Sequence, residues 1–253
     1  MFDDSHCEFS GVADDFFVNL NLQTTLALPS SRETVLLFCE AVQKEFRGMT
    51  SFYRRESGEH VLEGDQESGS YQWMELQPQR LTSGYFNPPA ISEAYRFHSW
   101  MLNRSIYYLG TSGLDVDCLD VVFGFNLDFR GNRDAVAARA LLNGSPLAAL
   151  TGEEMHKPIE FEPSLVVALD EDCYLQARLA LETRSSSYQV RMGAYEEEPI
   201  SIYLTIRQYP QPGKVLDLGG SFVRQCEAGE DLLRRVVVPN VVQPIAAAIA
   251  TAD

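Results

Sequence analysis

The position of His98 in the sequence would allow acid–base or ligand-binding chemistry. His98 falls within a helical pattern over residues 90–109, on the apolar side of that pattern. An imidazole that faces inward from a helix over a sheet can exchange a proton near neutral pH or contact a ligand. Tyr95 and Trp100 stand nearby and could line the same pocket. The alternative is that all three are ordinary core residues, packed and hydrogen-bonded.

Three aspartates form the densest group of carboxylates in the chain. Asp115, Asp117 and Asp120 lie within eight residues of one another and alternate in part with apolar residues. Oxygen ligands at alternate positions can bind Ca²⁺ or Mg²⁺. The segment nevertheless lacks the loop glycine and the terminal glutamate of an EF-hand. The alternation favours the solvent-exposed face of an edge strand over a metal site.

A glycine pair near the C-terminus has the pattern of a nucleotide-binding turn. The segment 215–221, Val-Leu-Asp-Leu-Gly-Gly-Ser, resembles the nucleotide-binding strand and loop of S-adenosylmethionine-dependent methyltransferases. Such a site needs several βα units of a parallel sheet after it. Only 32 residues follow Ser221, so we interpret the glycines as a turn in a connection. No other pattern in the sequence calls for a cofactor, and we expect none.

Two segments that are 101 residues apart share one strand pattern. Residues 18–28 alternate between apolar and polar side chains, and so do residues 121–129. Each is therefore a predicted half-buried strand. The offset carries Leu20 onto Val121 and thus preserves which face of the strand is apolar.

A capped helix is predicted after each of these strands. Ser30 with Glu33 has the spacing of a capping box and predicts a helix to about residue 47. The same offset carries Ser31 onto Asn132, and both are good N-cap residues. A strand followed by a capped helix is therefore predicted twice.

The remaining elements complete two units of the same order. The first unit is predicted to continue with four strands and a helix, at 50–56, 59–64, 70–77, 79–86 and 90–109. The second unit is predicted to do the same, at 158–169, 173–182, 188–194, 200–206 and 229–251. The predicted fold class is α+β, a tandem duplication of a β-α-β4-α unit, with residues 1–110 and 111–253 as the two repeats.

This order of elements resembles the architecture of the TATA-box-binding protein, over the whole chain and at the level of element order. The resemblance implies a mainly antiparallel, curved sheet covered by helices. It also implies one structural domain with a pseudo-two-fold axis. It implies no DNA binding, because a DNA-binding saddle is basic and this chain is acidic. Duplicated ferredoxin-like units are the alternative, with some of the predicted strands being hairpins divided too finely.

Charge and cysteine usage limit the partners and the compartment. The chain has 36 acidic and 20 basic residues, which gives a formal charge of −16. Phosphate binding requires clustered Lys and Arg, so we expect neither nucleic acid nor an anionic membrane surface as a partner. No secretory signal is visible, and residues 236–250 are too interrupted for a spanning helix. Five widely spaced cysteines favour free thiols in a reducing cytoplasm.

These patterns favour a non-catalytic protein that binds a ligand or another protein in a groove within or between its repeats. Whether the ligand is a small molecule or a protein is left open. The apolar segment 236–242 could also cover a neighbouring copy, which predicts a homodimer. The alternative is a hydrolase or isomerase that acts on a small molecule with carboxylates and either His98 or His156.

Overall fold

All strands of the described chain join one antiparallel sheet. The computed structural model describes residues 8–151 and 156–252. Within them nine strands follow the order β2-β3-β4-β5-β1-β6-β9-β8-β7, with helices on one side. The strands are β1 (Asp15–Thr24), β2 (Ser51–Arg54), β3 (His60–Glu63), β4 (Tyr71–Gln77), β5 (Arg80–Phe86), β6 (Val116–Phe129), β7 (Ser164–Ala168), β8 (Leu175–Glu182) and β9 (Glu198–Gln208). The predicted α+β class and the antiparallel sheet are confirmed.

The helices alternate with groups of strands along the chain and cover one face of the sheet. They are α1 (Arg32–Glu45), α2 (Ile91–Tyr108), α3 (Arg133–Leu141), α4 (Ser187–Met192), α5 (Leu218–Leu232) and α6 (Gln243–Ala250). A π-helical segment, Leu233–Val242, joins α5 to α6, and 3₁₀ turns cover Gln66–Ser68 and Pro146–Leu150. Helices α2 and α5 lie over the central strands and contact each other.

The two strands with the shared pattern, β1 and β6, pair at the centre of the sheet. They run antiparallel, and Leu20 lies directly opposite Val121. Both side chains are fully buried under the helices. Period-two alternation in the sequence thus identifies the face that packs into the core.

The predicted caps begin the first helix of each half. Ser31 caps α1 and Asn132 caps α3, each by accepting a hydrogen bond from a backbone amide of the first turn. The cap of α1 is therefore one residue later than the predicted Ser30 capping box. Both helices start where a side-chain oxygen satisfies amides that the helix leaves unpaired.

The predicted strand over 188–194 is wrong, because this segment forms α4. A capping box between Ser186 and Gln189 starts the helix, and Gly193 ends it in the left-handed conformation with φ 64°. Only Val190 of the apolar positions is buried there. The second half consequently has three strands after its first helix instead of the predicted four, and β7 is confined to Ser164–Ala168.

The prediction of an edge strand at the aspartates is also wrong. Strand β6 begins at Val116, five residues before the predicted start, and it has β1 on one side and β9 on the other. The alternation of faces continues upstream from residue 121 to Cys118, and a β-bulge at Asp117, between the pairs Gln23–Cys118 and Thr24–Val116, then shifts its phase. Alternation defines the two faces of a strand but does not indicate how many neighbours the strand has.

The C-terminal helix is longer than predicted. Asp217 caps α5 by accepting from the amide of Gly220, so the glycine pair lies in the first helical turn and not in a connection. From Leu218 to Ala250 the helical chain is 33 residues, the one helix of the described residues long and apolar enough to cross a membrane by length and composition. It packs against β6, β9, α2 and α3, which is compatible with a core helix of a soluble protein.

Candidate binding face of the sheet

His98 is sealed between α2 and the sheet. Its side chain is fully buried, with Nδ1 2.8 Å from Ser83 Oγ and Nε2 3.0 Å from the carbonyl oxygen of Val18. Burial lowers the pKa of His98 to about 3. A neutral ring with both nitrogens engaged, and with no carboxylate among its described partners, holds the helix to β1 and β5.

Tyr95 shares one neighbour with His98, the ring of Phe222, whereas Trp100 lies on the other side of α2. Tyr95 lines a shallow groove between α2 and α5, opposite Phe222 at a ring distance of 6.0 Å. Burial raises the pKa of its hydroxyl. Trp100 instead packs edge-on against Phe46 at 5.3 Å, on the side of α1. The three predicted ligand-binding residues therefore do not line one cavity.

The three aspartates do not converge either. Asp115 Oδ1 accepts hydrogen bonds from Thr25 Oγ1 at 2.6 Å and from the amide of Leu26 at 2.8 Å, so it ties the end of β1. Asp120 is buried and binds Arg207 through two oxygens, both at 2.7 Å. Asp117 is exposed. The described residues contain no group of three or more potential metal-ligating side chains, and Asp115 and Asp120 serve structural contacts.

The side of the sheet without helices carries a row of aromatic side chains that was not predicted from the sequence. Four half-buried aromatic side chains cross it as a row, which we call the aromatic row: Tyr71 on β4, Phe86 on β5, Phe17 on β1 and Tyr203 on β9. Successive ring centroids are 5.3, 6.1 and 6.1 Å apart. These distances are typical of interacting aromatic rings.

Two glycines within strands make room for aromatic rings on this face, Gly124 for Phe17 of the row and Gly84 for Trp73 beside it. A Cβ on Gly124 of β6 would overlap the ring of Phe17, and a Cβ on Gly84 of β5 would overlap Trp73. Glycine inside a strand often marks a close approach of another group. The rings of Phe17 and Trp73 therefore lie flat on the backbone of neighbouring strands.

One polar atom beside the row has no partner. Asn19 Oδ1 is buried on the open side of β1 and has no hydrogen-bond partner among the described residues. Buried polar atoms are nearly always paired, with protein groups or with water. This oxygen lies beneath the open face, close to the indole nitrogen of Trp73 above Gly84.

Charge divides the open face into two ends. Asp14, Asp15 and Asp128 border the aromatic row. Partial burial, together with the charges of Asp14, Asp15 and Glu197, raises the pKa of Asp128. Such a raised pKa indicates that the carboxylates at this end repel one another.

The opposite end of the open face is basic. Arg80, Arg178 and Arg207 surround Asp120 in a shallow cavity of about 280 Å³. Arg207 is committed to Asp120, and Arg178 donates to Ser164 Oγ at 3.0 Å. The face as a whole is therefore an aromatic platform with an acidic border at one end and three arginines at the other. At the acidic end Arg184 donates to the hydroxyl of Tyr203 at 2.9 Å.

This face was not predicted, although its signals are present in the sequence. The polar positions of β1 and β6 were expected to face solvent and to have no further role. An aromatic residue in phase with those positions, such as Phe17, and a glycine within a strand, such as Gly124, are the signals that could have identified it. Comparison with known proteins does not add to this: no protein-family model matches the chain, and no curated protein matches it.

Proposed function

We propose that the protein is a non-catalytic binding protein whose open sheet face holds a basic segment of another polypeptide. The observation that carries the proposal is the aromatic row with its acidic border. Aromatic side chains are enriched where proteins bind one another, and lysine or arginine side chains are attracted to the faces of aromatic rings. The carboxylates of Asp14, Asp15 and Asp128 would add charge attraction for the same groups.

The shape of the face favours a polypeptide over a small molecule. Sites for small molecules are usually concave and cover most of the ligand surface. The aromatic row instead lies across four strands of an open sheet, so an extended ligand could contact all of its rings. The charge of −16 would also speed the encounter with a basic partner.

The alternative of a hydrolase or isomerase finds less support. Where it uses His98, it requires this imidazole to reach a substrate and a carboxylate. The imidazole is buried between α2 and the sheet, and its nitrogens are used by Ser83 and Val18.

The test uses Trp73 as a reporter on the face. The chain has two tryptophans, so Trp100→Phe leaves Trp73 as the only one. The probes are a peptide of alternating arginine and leucine and the same peptide with glutamate for arginine. We expect the basic peptide to change Trp73 fluorescence saturably and more weakly at high salt. Phe17→Ala or Tyr203→Ala should reduce affinity at least about tenfold.

The matched control is Tyr107→Ala, which removes an aromatic ring that is 78% exposed on α2 and lies away from the face. It should leave affinity unchanged. Equal binding of both peptides, or unchanged binding by a folded Phe17→Ala variant, would refute the proposal.

For the fold we infer a tandem duplication with the arrangement of the TATA-box-binding protein. Support comes from the centre of the sheet, where Leu20 lies opposite Val121, the residue that the offset of 101 equates with it. Outward from this pair the order is β5-β4 on one side and β9-β8 on the other. One continuous sheet favours this arrangement over two separate ferredoxin-like units. β2 and α4 are the elements without a counterpart.

We also propose that the protein works in the cytoplasm, with neither nucleic acid nor a membrane as partner. Cys39, Cys118 and Cys226 are buried free thiols, which is typical of a reducing compartment. Homodimerisation through 236–242 remains a prediction. Of the five valines in this segment, Val237 and Val242 are buried within their own chain and Val236 is the exposed one.

A further inference from the structure

Strand β7 is an edge strand without the usual protection. It is the last strand of the sheet, and all five of its residues, Ser-Leu-Val-Val-Ala, are exposed. Leu165 is 65%, Val166 52% and Val167 43% exposed, so apolar side chains are open on both faces. Proteins normally place charges, proline or a covering element at such an edge. At the other edge, β2 carries Arg54.

The backbone of β7 is set to accept another strand. Leu169 donates its amide to Leu175, and Leu181 donates to the carbonyl of Pro163, so the odd-numbered residues of this strand face β8. In an antiparallel pair the intervening residues point their amides and carbonyls the other way. Ser164, Val166 and Ala168 therefore direct their backbone groups outward.

The acidic residues on both sides of β7 determine what kind of partner strand could pair with it. The segment 160–172 reads Glu-Phe-Glu-Pro-Ser-Leu-Val-Val-Ala-Leu-Asp-Glu-Asp, with carboxylates at both ends and no basic residue. A second copy paired through its own β7 would bring acidic ends together in either direction. Arg178 is the basic side chain that faces β7 from β8, and it is engaged with Ser164. A partner with lysine or arginine on both sides of an apolar strand would match these ends.

We propose that the β7 edge takes up an extended polypeptide segment with an apolar centre and basic flanks, as a tenth strand of the sheet. Backbone hydrogen bonds to Ser164, Val166 and Ala168 would hold it, and the flanking carboxylates would select it. Ser164 lies two strands from Tyr203, the nearest residue of the aromatic row, with Ala180 between them. The binding uses the backbone of the edge strand and does not depend on the function proposed for that row.

The probe is a labelled synthetic peptide with two lysines on each side of a Val-Thr-Val-Thr-Val centre. We expect saturable binding to the full chain by fluorescence anisotropy, and binding at least about tenfold weaker when glutamates replace the lysines. Val166→Pro removes one outward amide at a position where an edge strand tolerates proline, and should reduce affinity at least about tenfold. Val166→Thr keeps the amide and is the matched control, with affinity unchanged.

Amide hydrogen exchange supplies a readout that only strand addition would produce. The bound peptide should protect the amides of Ser164, Val166 and Ala168 and leave those of Leu165 and Val167, already bonded to β8, unchanged. Protection without this alternation, or equal binding of the lysine and glutamate peptides, would overturn the proposal. So would a dimer of the chain alone that Val166→Pro dissociates, because the edge would then belong to a second copy. Phe17→Ala should leave this binding intact, which separates it from the aromatic row.

Discussion

The two faces of the central strands differ although alternate residues of the same strands form them. On the helix side, Leu20, Val121 and Phe123 are fully buried. On the other side, Phe17 and Tyr203 are half-buried and no helix covers them. The side chains of the first face are removed from water completely, whereas the aromatic rings of the second face remain partly in water. We therefore expect substitutions on the helix side to reduce stability and those on the open side to reduce binding.

The largest difference should appear between two phenylalanines of neighbouring strands. Phe123→Ala on the helix side should lower the free energy of unfolding by about 3–5 kcal/mol, since it empties a closed core site. Phe17→Ala on the open side should lower it by about 1 kcal/mol, since its ring is already partly solvated. Urea unfolding followed by circular dichroism measures both. Equal losses would show that the open face is as much a core as the covered one.

Acid should weaken the covered face through His98. Burial keeps its folded pKa at about 3, below the value of 6.5 expected in the unfolded chain. Between these values the unfolded chain binds the extra proton, so stability is retained above 6.5 and declines as the pH falls towards 3. The slope from this residue is at most about 1.4 kcal/mol per pH unit.

His98→Gln isolates that contribution. Carboxylates titrate in both proteins, so the difference between the two slopes in urea unfolding from about pH 7 to pH 4 belongs to His98. The variant should have the shallower slope. Parallel slopes would mean that the ring is protonated in the folded protein and is not sealed.

A smaller effect is expected where the open face depends on glycine. Gly124→Ala places a methyl group against the ring of Phe17 and should cost about 1–3 kcal/mol unless the ring moves aside. In either case the ring of Phe17 can no longer lie flat on β6, so peptide binding should weaken. Gly219→Ala in the first turn of α5, where a Cβ meets nothing closer than 3.8 Å, is the control and should not destabilise. Tolerance of both substitutions would argue against a tightly packed row.

Chemical labelling of the cysteine thiols perturbs the fold least and tests which of them are accessible in the native protein. Burial raises the pKa of Cys39 to about 12 and that of Cys118 to about 11, and it raises the pKa of Cys226 as well. Cys173 is exposed. In a Cys7→Ser variant, which removes the cysteine outside the described residues, one thiol per folded chain should react rapidly with a thiol reagent and three only on unfolding. Rapid reaction of Cys39 or Cys226 would show that the helix side opens in the native state.

The elements of the first half were predictable because local signals agree there. Strands over 70–77 and 79–86 and the helix over 90–109 are found within one residue of their predicted bounds. In the second half the signals conflict. Residues 188–194 alternate like a strand, yet the capping box of Ser186 and the left-handed Gly193 make them helical. Short alternation is weak evidence when capping residues stand at its ends.

What the sequence by itself determined is the orientation of residues along each element: which face of β1 and β6 is buried, and where α1 and α3 begin. Alternation and capping are local, so they can be read without knowing any neighbour. Only the tertiary structure decided which strands lie side by side. Pairing of β4, β5, β1, β6 and β9 aligned Tyr71, Phe86, Phe17 and Tyr203, which come from distant parts of the chain, into one row. Pairing also left β7 at an edge. Both candidate sites arise from long-range strand pairing, and period two carries no information about partners.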